Sequence, residues 1–125
     1  MNVPGFLAKR FYVAGSLRNT ASGFSLQAQN PMGSGTLVGI GRLSVDGEAI
    51  PVEAVSAVRD GDPTPLLASE VSPRRPIRVV VGDRITLSIA GRTLSPGRHK
   101  LDVELVEVDI GRLKFSISDD LAAGA

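Results

Sequence analysis

The chain has 125 residues, of which 42% are hydrophobic but only 4% aromatic, with 14 basic and 13 acidic residues, one histidine and no cysteine. That length suits one domain, and a formal net charge of +1 gives no field to gather nucleic acid or an anionic membrane. Without cysteine there is no disulfide framework, no thiolate metal site and no need for an oxidising compartment. No apolar run of signal-peptide length opens the chain, and none later reaches the roughly 18 to 20 residues that span a bilayer. A cytoplasmic protein with no membrane attachment is therefore expected. Val, Ile and Leu must build the core, which favours strands over helices.

In chain order, Lys9 to Val13 reads as a short strand and Ser16 to Gly23 as a polar connection. Phe24 to Gln29 is the first clear strand, with Phe24, Leu26 and Ala28 on one face and Ser25, Gln27 and Gln29 on the other. Asn30-Pro-Met-Gly-Ser-Gly35 is a run of turn formers, hence a loop carrying an exposed Met32. A strand resumes at Thr36 and ends at Asp46-Gly47, a strong hairpin dipeptide, with Ala49 to Val52 beginning the return. Periodicity dissolves between about Ala54 and Pro76, a stretch long enough to suggest a contact surface. Ile77 to Val81 and Arg84 to Ile89 look like a hairpin about Gly82-Asp83, with Ile85, Leu87 and Ile89 inward. Ser95-Pro-Gly-Arg98 suits a type II turn. In the strand that follows, the apolar phase of Leu101, Val103 and Leu105 flips to Val106, Val108 and Ile110, which predicts a β-bulge at Leu105–Val106. Leu113, Phe115 and Ile117 complete the core, and Asp119 onward is a tail.

About seven or eight short strands separated by Gly and Pro turns, with no helix, predict an all-β, single-domain antiparallel β-sandwich, jelly-roll-like, over residues 1–125.

No complete catalytic constellation is legible. The only histidine, His99, has no second His or Cys to complete a metal site, and fits an imidazole packed at a sandwich corner. Asp102, Glu104, Glu107 and Asp109 read as a solvated strand face. Neither Ser88 nor Ser116 lies in a Gly-x-Ser-x-Gly context. The segments Met32-Gly-Ser-Gly35 and Gly39-Ile-Gly41 lack the helix that a phosphate cradle requires, and Arg74-Arg75 fits a solvated loop.

The order Leu17-Arg-Asn19, Gly23-Phe24, Leu43-Ser-Val-Asp-Gly47, Leu94-Ser-Pro-Gly-Arg-His-Lys-Leu-Asp-Val103 and Lys114-Phe-Ser-Ile-Ser-Asp119 resembles the small β subunit of bacterial C-glycoside deglycosidases, over most of the chain. The resemblance implies a non-catalytic subunit docked on a larger TIM-barrel α subunit. That partner would hold a divalent, Mn2+-like metal and cleave the carbon-carbon bond of 3-oxo-C-glycosides by β-elimination, a lyase reaction. Under this reading the loops around Asn30 to Thr36 and Asp60 to Pro76 meet the partner. Met32 serves as an apolar anchor, and Arg18, Asn19, Asn30, Ser34, Thr36 and Arg42 as contacts at the active-site mouth. Catalytic and metal-binding residues are expected on the partner alone. The rivals are a stand-alone sugar-binding module, which would need more aromatic platforms than Tyr12, and a structural sandwich that self-associates through an edge strand.

Overall fold

In a computed structural model, which describes residues 2–31, 33–62 and 64–121, the chain is a two-sheet antiparallel β-sandwich. After a short helix, α1 (Gly5–Phe11), come β1 (Arg18–Asn19), β2 (Gly23–Gln29), β3 (Gly35–Val45), β4 (Glu48–Ala49), β5 (Val55–Arg59), β6 (Leu66–Leu67), β7 (Ile77–Val79), β8 (Arg84–Ala90), β9 (Gly97–Glu107) and β10 (Gly111–Leu121). One sheet runs β1-β2-β8-β5-β6. The other runs β10-β9-β3-β4, with β7 also paired to β3.

The alternation expected from sequence sets the core. Phe24, Leu26 and Ala28 face Ile85, Leu87 and Ile89 in register, and all six are buried. Across from them lie Leu101, Val103 and Leu105 of β9 with Leu113 and Phe115 of β10. Each such side chain withdrawn from water contributes about 1.5 to 3 kcal/mol. Gly23 has to be glycine, because a Cβ there would run into the Ile89 carbonyl. Asp46 and Gly47 both take positive φ, 53° and 81°, as a two-residue hairpin turn demands.

Several expectations fail for local reasons. The opening holds a helix, Gly5–Phe11, where the sequence predicts a short strand over Lys9 to Val13. Pro4 precedes it, and seven residues are too few to show a period. Its Ala8 is buried and its Phe11 ring stacks on Phe115 with centroids 6.1 Å apart. The polar connection from Ser16 contains the two-residue strand β1. The stretch from Ala54 to Pro76 is not irregular throughout: β5 sits inside its sheet between β8 and β6, with only Val55 and Ala57 pointing inward. Two core positions flanked by Pro and Gly give no visible alternation. There are ten strands among the described residues, more than the expected seven or eight.

β7 and β8 do not form a hairpin. β7 pairs with β3 and β8 with β2 and β5, so the turn at Gly82 carries the chain from one sheet to the other. β9 has no bulge. Its register with β10 is unbroken from Gly97↔Leu121 to Glu107↔Gly111, and Val108 to Ile110 form the turn with their apolar side chains exposed. The register shifts lie in β3 instead, between Leu37 and Gly39 and between Ile40 and Leu43. Asp119 is no tail residue: β10 continues to Leu121. Among the described residues, no helix is long and apolar enough to cross a membrane.

Candidate functional site

The two ends of the sandwich differ. At the end where β3 meets β4, His99 is buried at the start of β9. Its Nδ1 lies 2.7 Å from Asp46 Oδ2, and its Nε2 lies 2.7 Å from the Ser95 carbonyl oxygen. Both nitrogens thus face acceptors, an arrangement satisfied by the doubly protonated ring. The Ser95 carbonyl first, and Asp46 next, push the imidazole above its usual range. The hydrogen bond from His99, followed by the Lys100 amide, holds the Asp46 carboxyl below its own. With both nitrogens engaged, the ring has none left to ligate a metal or act as a base. Beside it Asn19 brackets Leu94, accepting from its amide and donating to its carbonyl, each at 2.9 Å. Leu94 is buried, so this end is closed.

The opposite end, where β2 and β7 finish and β3 and β8 begin, is open. A cavity of about 300 Å3 enters between the sheets there. Its apolar floor is the core itself: Leu37, Val79, Ile85, Leu105 and Leu113 line it, each no more than 8% exposed, with Phe11 at one side. Asn30, Ser34, Asp83, Glu107 and Asp109 supply its polar lining. Glu107 orders this mouth. Its carboxylate accepts from the amides of Thr36 at 3.0 Å, Asp109 at 2.8 Å and Ile110 at 2.9 Å. Burial pushes the Glu107 carboxyl up, but these amides and that of Val108 more than offset it and hold it below the ordinary carboxylate range. The Asn30 amide nitrogen donates to the carbonyls of Gly33 and Val79, tying the loop to β7. Around the mouth stand Val80 and Val81, 54% and 62% exposed, and Val108 and Ile110, 55% and 49% exposed.

The residues expected to meet a partner do not form one patch. Asn30, Ser34 and Thr36 are at the open end. Arg18 and Asn19 are on β1 near the closed end, and Arg42 is exposed on the outer face of its sheet, in a polar depression with Ser44, Asp102, Glu104, Lys114 and Ser116. Met32 lies outside the described residues. The four carboxylates of β9 and its turn are not a simple solvated face. Glu104 pairs with Arg112, Asp102 accepts from Ser116 and from Ser44, and Glu107 ties the turn; of the four only Asp109 is exposed. Sequence reasoning missed the cavity because every residue of its floor reads as ordinary core. The one available signal was the phase flip after Leu105, which marks exposed apolar residues at the turn. Among the described residues no group of three or more His, Cys, Asp or Glu side chains is arranged to hold a metal ion.

A family model described as hydroxymethylglutaryl-CoA reductase, N-terminal domain, matches residues 7–122. No curated protein matches the chain. The family match overturns the resemblance to the C-glycoside deglycosidase β subunit, whose carrying motifs, Pro-Gly-x-His and Asp-Gly above all, are turn sequences common to sandwich domains. The TIM-barrel α subunit, its Mn2+-like metal and the 3-oxo-C-glycoside substrate were implied by that resemblance alone and lose their support with it.

Proposed function

The chain belongs to the family of hydroxymethylglutaryl-CoA reductase N-terminal domains, and from that premise we propose that it is a non-catalytic accessory domain that docks on a catalytic chain or domain. A catalytic unit of the hydroxymethylglutaryl-CoA reductase type is the partner to test first, in the cytoplasm, where a cysteine-free chain meets no redox demand. The observation that carries the reading is the exposed apolar rim of Val80, Val81, Val108 and Ile110 about the open end. Covering the exposed half of these four side chains is worth roughly 1 kcal/mol each, enough to contribute materially to a specific interface. The groups best suited to proton transfer are meanwhile committed to the fold: His99 to Asp46 and Ser95, Tyr12 to Asp119, Glu107 to three amides.

The test is co-elution of the chain with a reductase-type catalytic unit, repeated with Val80→Asp and Val108→Asp. The expected result is a stable complex with the unaltered chain and at least a tenfold weaker one with either variant. Absence of any complex, or substrate turnover by the chain alone, would overturn the reading. A homodimer abolished by the same variants would replace it with self-association.

A further inference from the structure

We propose that the cavity at the open end is a binding site for a neutral, apolar small molecule of two to three aromatic rings, and that its mouth rejects anions. Three observations converge. First, the cavity runs in between core residues of both sheets, so a guest would touch apolar walls on either side, unlike a molecule lying on an exposed face. Second, its volume of about 300 Å3 is at the lower end of the range of small-molecule sites, and about twice that of an engineered apolar cavity that takes up benzene. Third, the charged groups lining it are carboxylates, those of Asp83, Glu107 and Asp109. Arg59, which pairs with Asp83 at 3.6 Å, is not part of the lining. A ligand carboxylate, sulfonate or phosphate would meet like charge beside a low-dielectric wall. A ligand N–H or O–H would instead find acceptors at the mouth.

Two dyes that share one skeleton separate these claims. N-phenyl-1-naphthylamine is neutral, apolar and carries one N–H; 1-anilinonaphthalene-8-sulfonate adds only a sulfonate. The expected result is saturable one-to-one fluorescence enhancement by the neutral dye, and binding of the sulfonate at least tenfold weaker. Gly35→Leu should weaken the neutral dye at least tenfold. Its added Cβ would stand 3.7 Å from Val79 Cγ2 and 3.8 Å from Glu107 Cγ, ordinary contact distances that the fold accommodates, and Gly35 lines the cavity. Asp109→Lys, at an exposed residue of the turn, should strengthen sulfonate binding several-fold more than it changes binding of the neutral dye. The proposal is overturned if the neutral dye fails to saturate, if both dyes bind alike, or if Asp109→Lys shifts both equally. It is also overturned if a folded Gly35→Leu protein binds as before. Complex formation with a catalytic partner but no dye binding would remove this inference alone, and dye binding without any complex would remove the docking reading alone.

Discussion

Glu107 offers a measure of how firmly the open end is built. Replacing it with Ala removes the acceptor for three amides, those of Thr36, Asp109 and Ile110, at 2.8 to 3.0 Å. A buried bond of this charged kind is worth about 1.5 to 3 kcal/mol, but turn amides regain water once the side chain is gone, so roughly 0.5 to 1 kcal/mol each applies. The sum is about 2 kcal/mol, a factor of about 30 in the unfolding equilibrium. For a domain of this size it lowers Tm by roughly 5 to 10 °C. The pH dependence supplies a second handle. Glu107 is held below its unfolded value, so its contribution is present above about pH 4.3 and is lost as pH falls through the lower folded value. Thermal melts followed by far-UV circular dichroism should therefore show the full gap between the two proteins at neutral pH and a shrinking one in acid. Tm values within about 1 °C of each other at neutral pH, or a gap unchanged at about pH 2, would refute the reasoning.

Tyr12 is the only tyrosine and the chain has no tryptophan, so alkaline absorbance at about 295 nm reads this residue alone. Burial first, then the 2.5 Å hydrogen bond to Asp119, push its phenol far above the usual range. Its contribution to stability is complete below about pH 10 and declines above it. The phenolate signal should therefore appear together with loss of the far-UV β signal; ionisation in a still-folded protein would contradict this environment. The His99–Asp46 pair predicts a band of extra stability. The raised imidazole contributes fully below about pH 6.5 and loses its contribution as pH rises through its folded value, while the lowered carboxyl contributes above about pH 3.9 and loses it as pH falls. His99→Leu should cost most in Tm between about pH 4 and 6.5 and progressively less toward pH 9; a penalty flat across that range would argue against a charged pair.

The fold was legible wherever one strand face was wholly apolar. Phe24-Leu26-Ala28, Ile85-Leu87-Ile89 and Leu101-Val103-Leu105 name their own inward faces, and Asp46-Gly47 names its turn. What failed depended on partners distant in sequence. Ile77 and Val79 look ready to pair with the strand that follows, yet β3 lies on the other sheet and takes them. Val55 and Ala57 offer too little pattern to declare a strand in the middle of a sheet. At the candidate site the difficulty is of another kind. Leu37, Ile85 and Leu113 are as apolar as any other core residue, and only the gap left between the sheets makes them a cavity floor. The short turn motifs near His99 report a corner, which many sandwiches share, and so they misled as marks of family.

The strand order also governs when the molecule can form. β2 waits for β8 some sixty residues later, β3 for β9, and Val3 donates its amide to Lys114. Among the described residues, only β9 with β10 makes a long pair between neighbours in sequence, closing through three residues. Such a hairpin forms in microseconds, whereas the distant pairings must first overcome the closure entropy of long loops. On a ribosome the order is worse still, because the fast-forming hairpin emerges after the strands it must cover. Until then β3 has an exposed apolar face and no long partner, which makes the nascent chain a client for chaperones and leaves assembly of the sandwich to the moment when residues 97–121 become free.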